Sequence, residues 1–128
     1  MEEIHLKLET PGFEPDLVEN RTLPAMCGFE ERPGVRYRFT FSNGFGASVI
    51  KHFGSYGYEY DLWEIGLLHF NVKSNFWEYD DSHAITDYDV LGYLTDEDAT
   101  NLLSQIRDGR LNECFKNSWR CAVRRRQK

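Results

Sequence analysis

Val35, Tyr37, Phe39 and Phe41 take every second position of one short segment, with Arg36, Arg38 and Thr40 between them. A period of two marks a strand with one face buried and the other wet. No other feature constrains the fold as much, because the next thirty or so positions extend it. Asn43-Gly44 follows, and both residue types tolerate positive φ, which favours a hairpin. Phe45 to Phe53 then reads as a second strand, followed by the Gly/Tyr-rich run Gly54-Ser55-Tyr56-Gly57-Tyr58-Glu59-Tyr60. Leu62 to Phe70 is apolar on both faces, interrupted only by Glu64 and His69, so it reads as a strand buried on both sides. The expected centre is thus three consecutive antiparallel strands.

Register depends on the loop between the first two. A two-residue loop sets Phe41 opposite Gly46 and Phe39 opposite Ser48. A three-residue loop is expected to set Phe41 opposite Ala47, Phe39 opposite Val49 and Val35 opposite Phe53. The second matches apolar with apolar, and a slip of one residue would turn every side chain to the other face.

The flanks are less regular. Ile4, Leu6 and Leu8 alternate with His5 and Lys7, a short strand signal for the edge of the sheet. From Thr10 to Gly34, Pro11, Gly12, Pro15, Pro24, Gly28, Pro33 and Gly34 punctuate the chain, and the segment reads as a wrapping arm held by Leu17, Val18, Leu23, Met26 and Phe29. A structureless connection of that length is uncommon, so a short strand, a turn or a binding arm within it stays open. Phe76 to Tyr79 begins a fourth strand, broken at Asp80-Asp81-Ser82, with Ala84-Ile85-Thr86 as its continuation. Thr95 and Asp98 have capping-box spacing, and Ala99, Leu102, Leu103 and Ile106 form one apolar helical stripe ending at Asp108-Gly109. Leu111, Cys114, Phe115, Trp119, Ala122 and Val123 have the spacing of a second helix. The expected architecture is one α+β domain over 1–128. It has an N-terminal strand and wrapping arm over 1–34, an antiparallel sheet of four to five strands over 35–86, and two C-terminal helices over 95–125.

Composition bears on function by exclusion. Cys27, Cys114 and Cys121 are odd in number and form no Cys-x-x-Cys pair, which argues for a reducing compartment. Glu2, Glu3 and His5 interrupt any signal-peptide pattern, and no apolar run approaches the roughly 20 residues of a membrane helix. The expected location is cytoplasmic. His5, His52, His69 and His83 stand in no metal-ligand spacing. Neither a Gly-rich phosphate loop nor a Gly-x-Ser-x-Gly elbow occurs. No catalytic residue, metal or cofactor is therefore assigned. The basic end, Arg124-Arg125-Arg126-Gln127-Lys128, reads as a solvated tail.

Charge and aromatic content point to binding. The net charge is −6, and between Lys51 and Arg107 eleven carboxylates face the single base Lys73. That interval is either a solubilising surface or a negative face for a basic partner, which would also repel nucleic acid. Aromatic residues make up 15% of the chain. Tyrosines on a glycine and serine background suit an adaptable recognition loop; in the plainer reading their rings fold back on the sheet. The expected partner-binding set is Tyr56, Tyr58, Glu59, Tyr60, Asp61, Asp80, Asp81, Asp87 and Asp89, directed at a basic, nucleic-acid-handling protein, with no direct nucleic-acid or membrane contact. The alternative is a small ligand-binding or enzymatic domain whose pocket, between sheet and helices, brings His52, His69 or His83 beside a carboxylate. Self-association through Trp77, Trp119 and a sheet edge is a third possibility.

Ser42-Asn43-Gly44-Phe45-Gly46-Ala47-Ser48-Val49-Ile50, Gly54-Ser55-Tyr56-Gly57, Leu62-Trp63-Glu64, Ile85-Thr86-Asp87 and Gly92-Tyr93-Leu94-Thr95 together resemble small uncharacterised accessory proteins encoded by phages and prophages. The resemblance covers residues 36 to 107. It implies a non-enzymatic factor that acts in the host cytoplasm by binding a host protein, as inhibitors of defence nucleases of the anti-CRISPR kind do.

Overall fold

The apolar alternation closes into one antiparallel sheet. The computed structural model describes residues 5–23, 33–80 and 90–110. Among these, the strands are β1 (Leu17–Leu23), β2 (Gly34–Thr40), β3 (Phe45–Lys51), β4 (Trp63–Asn71), β5 (Phe76–Tyr79) and β6 (Val90–Leu94), followed by the helix α1 (Asp96–Arg107). The order is β1-β2-β3-β4-β5, and β6 also pairs with β4. β4 is therefore the hub. Residues 64–69 pair with β3 on one side. On the other side β5 takes Leu68 to Asn71 and β6 takes Trp63 to Gly66. The chain leaves this shared edge at Asp80, whose N–H donates to the Leu67 carbonyl at 2.8 Å, and returns at Val90 opposite Gly66.

One face of the sheet carries the core. Val35, Tyr37 and Phe39 of β2, Ala47 and Val49 of β3, and Trp63, Ile65 and Leu67 of β4 are all buried there. Ala99, Leu102, Leu103 and Ile106 of α1 cover them, with Leu8 and Phe13 of the N-terminal arm. Burying a leucine or isoleucine of this stripe is worth about 1.5–3 kcal/mol before the entropy of ordering is subtracted. Both ends of α1 are closed by side chains. Thr95 accepts from the Asp98 N–H and Asp98 accepts from the Thr95 N–H, the expected capping box. At the other end the Asn43 amide donates to the carbonyls of Ile106 and Arg107 at 2.9 and 3.0 Å. The hairpin tip thus adds donors to the last carbonyls of the helix, of which Ile106 also accepts from the Gly109 N–H at 3.1 Å.

Several expectations are corrected. The first hairpin has the three-residue loop Ser42-Asn43-Gly44, closed by Phe41 N–H donating to the Phe45 carbonyl at 2.8 Å. Its register is Phe39 to Ala47, Tyr37 to Val49 and Val35 to Lys51, two residues from the expected one. The expected pairing leaves five residues in the loop; a shift of two preserves which face each side chain occupies. Residues 5–8 are not a strand. There the Tyr37 hydroxyl accepts from the Leu8 N–H and donates to the Leu6 carbonyl, replacing ladder bonds. Of the alternatives left open for the arm, a short strand is the one found: β1 pairs with β2. Its register shifts between Leu17 and Glu19, so Val18 bulges out and is exposed. The bulge turns Leu17 toward the core opposite Phe39, and Glu19 toward Arg38 on the outer face. β6 is a sixth strand beyond the four to five expected. The second helix (residues 111–123), Ala84-Ile85-Thr86, Met26, Phe29, the three cysteines and the basic tail lie outside the described residues. Among the described residues no helix is long and apolar enough to cross a membrane.

Candidate functional site

The Gly/Tyr run is a fixed platform. Ser55 folds it back: the Ser55 hydroxyl donates to the His52 carbonyl at 2.7 Å and accepts from the His52 N–H. Gly57 then enters the left-handed region at φ 99°, a 3₁₀ turn spans Tyr58–Tyr60, and Asp61 leaves it at φ 63°. The Leu62 N–H closes the loop on the Gly57 carbonyl at 3.0 Å. Tyr58 points inward, only 2% exposed and edge-on to Phe53, whereas Tyr60 is 71% exposed.

β6 holds the other side of this platform. The Tyr93 N–H donates to the Tyr56 carbonyl at 3.2 Å, and a Cβ at Gly92 would lie 2.4 Å from the Tyr56 Cβ. Only glycine permits that approach. Trp63 pairs with Leu94 and Ile65 with Leu91, so Gly92 and Tyr93 together face Glu64 alone. Tyr93 completes this bulge at φ 60°, which for a bulky residue costs about 1–3 kcal/mol. The kink brings the Tyr93 ring to 6.3 Å from that of Tyr60, tilted by 40°.

Beneath the platform lies a buried cation. Lys51 occupies an inward position of β3 and its side chain is 0% exposed. Its ammonium donates to Asp61 Oδ1 at 2.7 Å and to the carbonyls of Asp61 and His5 at 3.1 Å each, and lies 4.1 Å from the centre of the Trp63 ring. His5 bridges outward: Nδ1 contacts Asp61 Oδ2, and Nε2 is 3.3 Å from Asp96 Oδ2. Asp96 also accepts from the Trp63 indole N–H at 2.6 Å. Loss of hydration holds the Lys51 ammonium below the usual lysine range, against the opposing pull of Asp61. Burial alone would raise the Asp61 carboxyl; hydrogen bonds from Lys51 and His5 outweigh it and hold it below the usual range. On the outer face the Glu19 carboxyl is lowered chiefly by its hydrogen bond from Arg36 at 2.9 Å.

These directions fix a pH dependence. A carboxyl depressed by folding stabilises above its unfolded value, roughly pH 4, and that stability is lost as pH falls through the folded value. Asp61 and Glu19 therefore make the protein lose stability between about pH 5 and the lower folded values. Lys51 acts oppositely at the alkaline end: stability rises from its lowered value toward roughly pH 10.4, where the unfolded chain also loses its proton. Urea midpoints at pH 6 and pH 3 should show the acid loss. Asp61→Asn should make it shallower; an unchanged slope would mean that Asp61 is not held low.

The structure separates the expected binding residues. Tyr56, Glu59 and Tyr60 share the exposed platform, Tyr58 is interior, and Asp61 is engaged by Lys51 and His5. Asp80 lies elsewhere along β4, opposite Leu67 and about 13 Å from Trp63 at strand rise. Its side chain is 11% exposed and 3.2 Å from His69. Asp81, Asp87, Asp89 and His83 lie outside the described residues. For the pocket reading, His69 does sit between Asp80 and Glu78, the latter at 3.6 Å. One cleft, of about 530 Å³, lies between the N-terminal arm and β1–β2, lined by residues such as Leu8, Phe13, Asn20 and Tyr37, and no histidine borders it. Among the described residues no group of three or more His, Cys, Asp or Glu is placed to hold a metal.

Sequence reading passed over Lys51, His5 and Tyr93. Lys51 had a signal, since it continues the inward positions Ala47 and Val49 of its strand. Tyr93 had none, because its placement depends on a bulge. No family model matches the chain, and no curated protein or solved structure is significantly similar to it.

Proposed function

We propose that the protein is a non-enzymatic binding factor that docks on a basic, nucleic-acid-handling protein through the Tyr56–Tyr60–Tyr93 platform. The observation that carries this reading is the contact between Tyr60 and Tyr93, held at the surface by two non-glycine residues with left-handed backbone, Asp61 and Tyr93. Strain of that kind persists where the surroundings enforce it, and it gathers at binding and catalytic sites. Rigid aromatic rings bind with little loss of side-chain freedom. Glu59 is exposed on the platform and Glu64 accepts from the Tyr56 N–H, and these two carboxylates favour a positively charged partner, whereas Asp61 and Asp96 are engaged within the chain by Lys51 and His5. The specific form proposed is a phage-type inhibitor of a host defence nuclease; its support is the resemblance of residues 36–107 to phage accessory proteins.

Affinity capture from a bacterial lysate tests this, with the parent and Tyr60→Ala compared at low and high salt. The expected outcome is a basic protein retained by the parent at low salt and released by high salt. Tyr60→Ala should weaken retention about 30-fold, as loss of a binding hot spot of about 2 kcal/mol does, without changing the melting temperature. Retention indifferent to both Tyr60 and salt would overturn the reading.

A further inference from the structure

We propose that Tyr60, Tyr93 and Glu59 form a clamp for an arginine side chain, a reading that rests on the binding function above and names the group it recognises. Tyr60 offers a ring that is mostly open to solvent. Elsewhere in this molecule aromatic faces already carry cations: Lys51 sits over Trp63 at 4.1 Å and Arg107 over Phe13 at 4.6 Å. Among the described residues neither Tyr60 nor Glu59 meets a cation of its own chain. The Tyr60–Tyr93 separation of 6.3 Å is a ring-to-ring contact. A cation stacking on the exposed Tyr60 ring thus meets a ring that its contact with Tyr93 holds in place.

The chemistry selects arginine over lysine. A guanidinium is planar and weakly hydrated, so it stacks flat on a phenol ring while its edge donates to a carboxylate. Glu59 precedes Tyr60 in the 3₁₀ turn and is exposed, and its long, flexible side chain is the carboxylate proposed to meet that edge. Asp61 is held by Lys51 and His5, which leaves Glu59 as the acceptor of the turn. An ammonium is compact and keeps more of its water, and it gains less from a flat ring.

The test uses the full-length protein and two capped hexapeptides, one alternating glycine with arginine and one alternating glycine with lysine, followed by NMR. The arginine peptide should shift the ring resonances of Tyr60 and Tyr93 and bind about threefold tighter than the lysine peptide, as an exposed cation–π contact implies. Tyr60→Ala should abolish the difference, Tyr60→Phe should keep it, and Glu59→Gln should weaken arginine binding. Equal binding of both peptides, or arginine binding untouched by Tyr60→Ala, would overturn the clamp. A lysate partner that still requires Tyr60 when the arginine peptide leaves the rings unmoved would sink the clamp alone. Loss of both would sink the binding face as well.

Discussion

Lys51→Met is expected to destabilise the protein by about 1–3 kcal/mol, the cost of leaving its acceptors without their donor. An exposed lysine substitution usually changes stability by less than about 0.5 kcal/mol. The difference lies in what the ammonium satisfies. It is the donor to Asp61 Oδ1 and to two backbone carbonyls, and it covers the Trp63 ring. Methionine matches the length of the chain but donates to none of these. Asp61 retains some contact with water, at 36% exposure, and His5 as a second partner. That places the loss toward the lower end of the range. Lys51→Met combined with Asp61→Asn should recover part of it, because the uncompensated carboxylate is then gone. Urea unfolding at pH 7 measures all three, with the slope against denaturant as the check on a shared unfolding transition. A loss below about 1 kcal/mol for Lys51→Met would show that the ammonium is solvated and that the network is incidental.

The same residue shows how far local pattern carries. The hairpin at Asn43-Gly44 and the helix after Thr95 are local, and each reads directly from its turn or capping residues. The faces of β2 and β3 also read correctly, because alternation survives a register error of two. Legibility stops where one residue breaks the period. In β1 the bulge at Val18 puts Leu17 and Asn20 on one face and Glu19 and Arg21 on the other, so no alternation is visible. In β6 the pair Gly92-Tyr93 does the same opposite Glu64. Tyr56, Tyr58 and Tyr60 look alike as a sequence, yet the 3₁₀ turn sends Tyr58 inward and leaves Tyr60 outside. Charge counting failed for a related reason. Asp61 and Asp80 count as free acids until the fold brings Lys51 to one and His69 to the other.

Trp63→Ala should cost about 3–5 kcal/mol, as truncation of a buried aromatic residue does. The ring is fully buried and meets Tyr37 edge-on at 5.9 Å. Its N–H donates to Asp96, and its face lies under Lys51. Trp63 also pairs with Leu94, directly after the Tyr93 bulge, so loss of the ring should loosen the binding platform along with the core. Trp63→Phe separates these roles: it keeps an aromatic face for Lys51 and removes the indole donor to Asp96, which should cost about 1–3 kcal/mol. Because Trp63 and Lys51 touch, their effects should not add. Trp63→Phe combined with Lys51→Met should fall short of the sum of the single losses by about 0.5–3 kcal/mol, as contacting residues do. Strict additivity in that cycle would mean that the cation over the ring contributes nothing. The polar network under the tyrosines would then act as separate bonds and not as one unit joining the N-terminal arm, the sheet and the start of α1.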